Sequence, residues 1–198
     1  MKSFNELNII GLTGMSGAGK SLAARVFAEH GYCVIDCDKE AKKTIQTQKC
    51  AEAVKRAFPE MYDEHGVFDR LKAARLVFSD AEKLKAYEKI VFPFIVYNIT
   101  DYILREAEQG DFLLDAPTLY QSGADDLCRK IIAVVADKAA CIQRITARDN
   151  ISESDALLRL NSQPDAEFYK SKADFFIENN SDLESFFKKT AEVIEEIK

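Results

Sequence analysis

Apolar positions along this chain follow two rhythms. Short runs that are apolar at nearly every position recur at 7–12 (LNIIGL), 33–36 (CVID), 111–115 (DFLLD), 131–136 (IIAVVA) and 174–178 (DFFIE). Runs of that kind are expected of strands buried on both faces. Between them lie amphipathic stretches with helical spacing, over 19–30, 37–57, 69–78, 80–109, 138–149, 152–162 and 181–197. The alternation predicts an α/β fold, a parallel sheet covered by helices. Pro93 falls inside the longest helical stretch and should break or bend it, because proline removes a backbone donor and clashes with the preceding turn. From Ile142 to Lys172 the chain is dense in charged residues with few large hydrophobes, which reads as a solvated helical excursion from the core.

Composition narrows the picture. A chain of 198 residues, 47% of them hydrophobic, can bury one full core, so 1–198 is expected to be a single domain, with room for a small insertion. The net charge of -6 argues against a nucleic-acid partner bound through a broad basic surface. No apolar run is long enough for a membrane span, and the polar start MKSFNE lacks the apolar centre of a signal peptide, so the cytoplasm is the default location. Five cysteines, odd in number and without a CxxC pair, are expected to be reduced thiols packed as small hydrophobes. Nothing in the sequence sets the oligomeric state; a monomer is the simplest expectation.

Chemistry enters at Gly14-Met15-Ser16-Gly17-Ala18-Gly19-Lys20-Ser21, which fits G-x-x-x-x-G-K-[ST] between an apolar strand and a helical pattern that starts at Leu22. Gly14 and Gly19 permit backbone angles and close approaches that a side chain would forbid, so successive N–H groups can converge on phosphate oxygens. The N-terminus of the following helix adds its positive dipole end. Lys20 supplies a mobile charge for the outer phosphates, and the Ser21 hydroxyl can ligate magnesium. A plain glycine-rich turn explains the pattern less well, given the strand before it and the helix after it.

Two carboxylate positions follow. The next strand ends in VIDCD, placing Asp36 and Asp38 beyond its C-terminal end, the edge where open parallel sheets bind ligands. Two apart on an extended segment, they would face the same way. A carboxylate there can take a proton from an acceptor hydroxyl or help place magnesium, although Asp38 also suits a helix N-cap. The strand DFLLD ends in Asp115, either a magnesium-organising carboxylate or a turn former before Ala-Pro. In the charged excursion, Arg144 and Arg148 lie four apart on one helical face and, with Arg159, could neutralise charge on a transferring phosphoryl group. Pairing with Asp149, Glu153 and Asp155 on a solvated face is the alternative.

Taken together, IGLTGMSGAGKSLAARVFAEHGYCVIDCDKEA, GVFDRLKAARLVF, YEKIVFPFI, the stretch from LDAPTLYQ to LLRLNSQ, and ADFFIENN resemble the dephospho-CoA kinase family in order and spacing over most of the chain. The resemblance implies a three-layer P-loop kinase fold with a parallel five-stranded sheet, a helical acceptor-binding insertion at about 37–109 and a helical lid at about 142–172. It implies that ATP with Mg2+ phosphorylates the ribose 3′-hydroxyl of dephospho-CoA, the last step of coenzyme A synthesis. It further implies that Asp36 is the general base, that Lys20 and Ser21 contact phosphate and magnesium, and that Arg70 lies in the acceptor region. Arg144 and Arg148 fall in the lid and Asn180 near the nucleotide base.

The chain departs from the family pattern at Phe92, where members usually carry His before Pro, and at Gln121, where a carboxylate is usual. With the loop, Asp36 and the arginines retained, both read as variation on the acceptor side. Rival readings are another small P-loop kinase, a binding protein without turnover, and a GTP-dependent switch. The last usually carries Asn-Lys-x-Asp for guanine, which does not occur here.

Overall fold

The computed structural model describes residues 6–198, so most of the polar opening stretch at 1–6 lies outside the described residues. Five strands, β1 (Ile9–Gly14), β2 (Cys33–Asp36), β3 (Phe112–Asp115), β4 (Lys130–Val135) and β5 (Phe175–Glu178), form one sheet in the order β2-β3-β1-β4-β5. Every pairing in it is parallel. All six residues of β1 are buried. Successive side chains point to opposite faces of a strand, so six in a row out of water means that helices cover both sides of the central strand. The five strands expected from the apolar runs all form, each within two residues of its predicted bounds.

The chain divides into two compact units. One comprises residues up to Asp36 together with Ile103–Lys198, and the other is Cys37–Tyr102. The first holds the sheet and the helices α1 (Lys20–Glu29), α6 (Leu119–Ser122), α7 (Lys138–Asp149), α8 (Glu153–Asn161), α9 (Ala166–Lys172) and α10 (Leu183–Glu196). Phe27 of α1 and Phe186 and Ile194 of α10 are fully buried in the same cluster as Ile10, Leu12 and Val134 of the sheet. That cluster fixes the strand edge from which the phosphate loop springs.

The second unit is helical: α2 (Cys37–Ile45), α3 (Gln48–Ala57), α4 (Arg70–Phe78) and most of α5 (Ala81–Arg105). Edge-to-face rings tie it locally, with Phe58 6.2 Å from Tyr87 and Tyr62 5.4 Å from Phe68. Burial pushes the Tyr87 phenol up to about 12. The single helix expected over 37–57 is two. The Thr47 hydroxyl donates to the Thr44 carbonyl at 2.7 Å, offering the backbone a local alternative to the helical ladder, and α3 restarts at Gln48.

Two other expectations change. Of the break or bend expected at Pro93, the break does not occur, and α5 runs as one helix of 25 residues with the proline inside it. Val91, Ile95 and Ile99 are buried at a four-residue spacing on either side of it, and that packed stripe outweighs the lost bond. The segment 142–172 is also less solvated than its composition implies. Ile145, Ala156 and Leu160 are buried, and α9, which the periodicity missed, buries Tyr169 and packs against β1, β4 and β5. Seven residues give too short a window for a helical period, and charge at Glu167, Lys170 and Lys172 masks the two aromatics, Phe168 and Tyr169, that pack on the core.

Because Pro93 is exposed and mid-helix, Pro93→Ala should stabilise the fold by about 1–3 kcal/mol. A urea midpoint that fails to rise would show that the surrounding packing has already accommodated the ring.

Candidate active site

The loop from Gly14 to Lys20 leaves β1 and enters α1 without an intervening residue of regular structure. Its glycines answer to specific neighbours. Gly14 has φ +140°, and a Cβ there would collide with the Val134 carbonyl. Gly19 has φ +107° and lies against the Asn179 amide, and Gly17, at φ +77°, faces the Cys141 carbonyl at 2.7 Å from an added Cβ. Left-handed backbone without room for a methyl is a demand that glycine alone meets.

The loop's carbonyls are held from outside. Arg144 of α7 donates through Nη1 to the Gly17 carbonyl at 3.3 Å and through Nη2 to the Asn179 carbonyl at 3.0 Å. Asn179, buried just after β5, donates through Nδ2 to the Ala18 carbonyl at 2.7 Å. Ala18 N–H closes onto the Met15 carbonyl at 3.1 Å, and Met15 N–H is tied to Val134 at 3.2 Å. With these groups engaged, the N–H groups of Lys20 and Ser21 stand at the N-terminus of α1, where helix geometry gives them no acceptor within the helix, while Leu22 N–H already bonds the Gly19 carbonyl at 2.9 Å. No acidic residue sits in that first turn, so none of its own side chains repels an incoming anion.

Sheet register assembles the acidic side. Asp36 at the end of β2 pairs with Asp115 at the end of β3, and Asp115 also stands opposite Leu12 of β1, two residues before the loop. Lys20 Nζ is ion-paired with Asp115 Oδ1, both side chains largely shielded from water. Ser21, the second residue of α1, is exposed. Loop, lysine and two carboxylates therefore share one sheet edge.

Other predicted residues are placed differently from one another. Asp38 lies in the first turn of α2 rather than on extended chain, so the alternation that would align it with Asp36 does not apply. Helix α2 begins at Cys37, directly after β2, which also rules out Asp38 as its N-cap. Arg70 opens α4 and is exposed, with Asp69 capping that helix through 3.0 Å bonds to Leu71 and Lys72. Arg148 is bidentate on Asp149 at 2.7 and 2.8 Å, and Arg159 reaches the same carboxylate. These guanidinium groups, Arg148 first, hold the Asp149 carboxyl well below the usual range. Asn180 exchanges two bonds with Asp137, 2.8 and 3.0 Å, at the start of α7.

Sequence reasoning missed Asn179 and Gln163. Asn179 adjoins the nominated Asn180 in ENN, and only strand parity at the end of β5 would have favoured it. Gln163, which accepts from Ser16 N–H at 3.2 Å, lies 147 positions away and had no local signal.

A family model described as dephospho-CoA kinase matches residues 8–185. The chain belongs to the dephospho-CoA kinase family. It is 36% identical over 193 residues to a dephospho-CoA kinase of Fusobacterium nucleatum, a match covering 97% of this chain and 100% of that one. Among solved structures, a Thermus thermophilus protein matches with a TM-score of 0.82 at 32% identity, over 97% of this chain and 98% of that one. A dephospho-CoA kinase from Campylobacter jejuni matches at 0.69 and 28% identity, over 96% of each chain. Within this dephospho-CoA kinase family member, Phe92 is half-buried in α5 and Gln121 is exposed in α6.

Since Arg144 anchors two carbonyls, Arg144→Ala should cost about 1–3 kcal/mol of stability with no nucleotide present. Unchanged unfolding in the absence of nucleotide would mean that those contacts carry no weight.

Proposed function

We propose that this chain is an ATP-dependent dephospho-CoA kinase of the cytoplasm that phosphorylates the ribose 3′-hydroxyl, the closing reaction of coenzyme A synthesis. Family membership supports the reaction. The observation that carries the chemistry is the shared edge of Asp36, Asp115 and Lys20, set by strand register at the mouth of the phosphate loop.

In this reading the loop N–H groups and the α1 dipole hold the β and γ phosphates of ATP. Lys20 exchanges Asp115 for phosphate oxygens, which frees Asp115. Asp36 orients the acceptor hydroxyl and removes its proton as the phosphoryl group departs from the β phosphate. Mg2+ prefers hard oxygen donors with several positions left to phosphate and water, and the Ser21 hydroxyl with the Asp115 carboxylate suits that need. When bound, it would neutralise charge on the phosphates. The helices of Cys37–Tyr102, with Asp38 and Arg70, receive the acceptor in this proposal. In segment 142–172 the lid role falls to exposed Arg148, drawn from Asp149 toward phosphate when nucleotide arrives while α9 stays packed on the sheet, and Asn180 lies near the base.

The deciding experiment is a coupled ADP-release assay with dephospho-CoA, followed by location of the new phosphate on the product. Preference for a nucleoside monophosphate as acceptor would assign the chain to another branch of small kinases. Asp36→Asn should lower turnover by about 10²–10⁴ while ATP affinity stays close to wild type. Near-normal turnover in that variant would take the base role away from Asp36.

A further inference from the structure

Gln163 has no part in the roles assigned above, yet its amide reaches the phosphate loop. Ser16 N–H donates to Gln163 Oε1 at 3.2 Å. A backbone N–H can only donate, so the oxygen must face it, and Nε2 is the atom left over. That nitrogen is buried and has no hydrogen-bond partner among the described residues. Buried amide donors without an acceptor are uncommon in native structures, and each calls for an explanation. This one is bonded to the same carbon as an oxygen already seated on the loop, so it stands beside the loop that the nucleotide-binding reading assigns to phosphate.

The backbone that delivers Gln163 is anchored on both sides. Its N–H bonds the Leu160 carbonyl at 3.4 Å, and Leu160 is buried at the end of α8. Two residues on, Asp165 caps α9 through Phe168 N–H at 2.9 Å, and α9 is fixed to the sheet by buried Tyr169. Gln163 is therefore held in place between two docked helices.

We propose that Gln163 positions phosphate: Oε1 holds the Ser16 N–H, and Nε2 donates to a phosphate oxygen of the nucleotide bound in the loop. The proposal rests on the nucleotide-binding reading above. A neutral amide suits this position because it offers an acceptor to the loop and a donor to the anion at once. Glutamate would keep the acceptor but turn a negative charge toward phosphate, and leucine would remove both groups.

That asymmetry supplies the test. ATP affinity is measured by calorimetry on the full chain and on Gln163→Leu and Gln163→Glu, with urea midpoints taken without nucleotide to establish that each variant folds. The leucine variant should bind ATP about tenfold more weakly, and the glutamate variant more weakly still. If glutamate binds ATP like the wild type while leucine does not, Gln163 only supports the loop and the proposal is overturned. Equal affinity in all three proteins overturns it as well. A wild-type chain that does not bind ATP would remove the nucleotide-binding reading itself, a failure visible before any variant is made.

Discussion

The site depends on the direction in which the peptide units of the phosphate loop point. A loop can gather N–H groups toward an anion only if its carbonyls turn the other way and find donors there. Here the carbonyls of Gly17 and Ala18 find them in Arg144 and Asn179, from α7 and the end of β5. Arg144 also bonds the Asn179 carbonyl, so the two outside donors are joined to each other. The backbone direction that the proposed anion binding requires is thus a tertiary property. It is maintained by residues more than 120 positions away, and the glycines only make it sterically possible.

Parallel register accounts for the carboxylates in a similar way. Asp36 and Asp115 are each the last residue of a strand, and pairing of Cys33 with Phe112 at the other end brings them side by side. One residue of slip would move either carboxylate to the other face of the sheet. Buried Ile35 in β2 and buried Phe112, Leu113 and Leu114 in β3 make such a slip unfavourable, because each would then meet the wrong layer. Core packing therefore sets the spacing of the polar edge.

Much of this was legible in the sequence, for reasons that can be named. The five strands were readable because their runs are near-continuously apolar, although the edge strands β2 and β5 are not buried on both faces and Phe176 of β5 is exposed, and the loop because its glycines and Lys-Ser are local. What escaped notice was encoded elsewhere. The break at Thr47 depends on one hydroxyl competing for a carbonyl, and the continuity of α5 through Pro93 depends on a buried stripe that outweighs a local rule. Helix α9 was too short to show a period. Asn179 and Gln163 act on the loop from far along the chain, and no spacing rule connects them to it.

Arg144 and Arg148 show how far periodicity alone can carry a site. Four residues apart, they were expected to share a face and a role. They diverge because their neighbours differ. Arg144 is flanked by buried Cys141 and Ile145, which hold that part of α7 against the core and bring its guanidinium to the loop's carbonyls. Arg148 sits in the last turn beside Asp149, which holds it in a bidentate pair and takes Arg159 as well. Arg148 itself is exposed and its bonds end on another side chain, whereas the two bonds of Arg144 end on backbone carbonyls of packed segments. Of the two, Arg148 is the guanidinium that the proposed mechanism moves toward phosphate, and Arg144 is the one that holds the loop's carbonyl side.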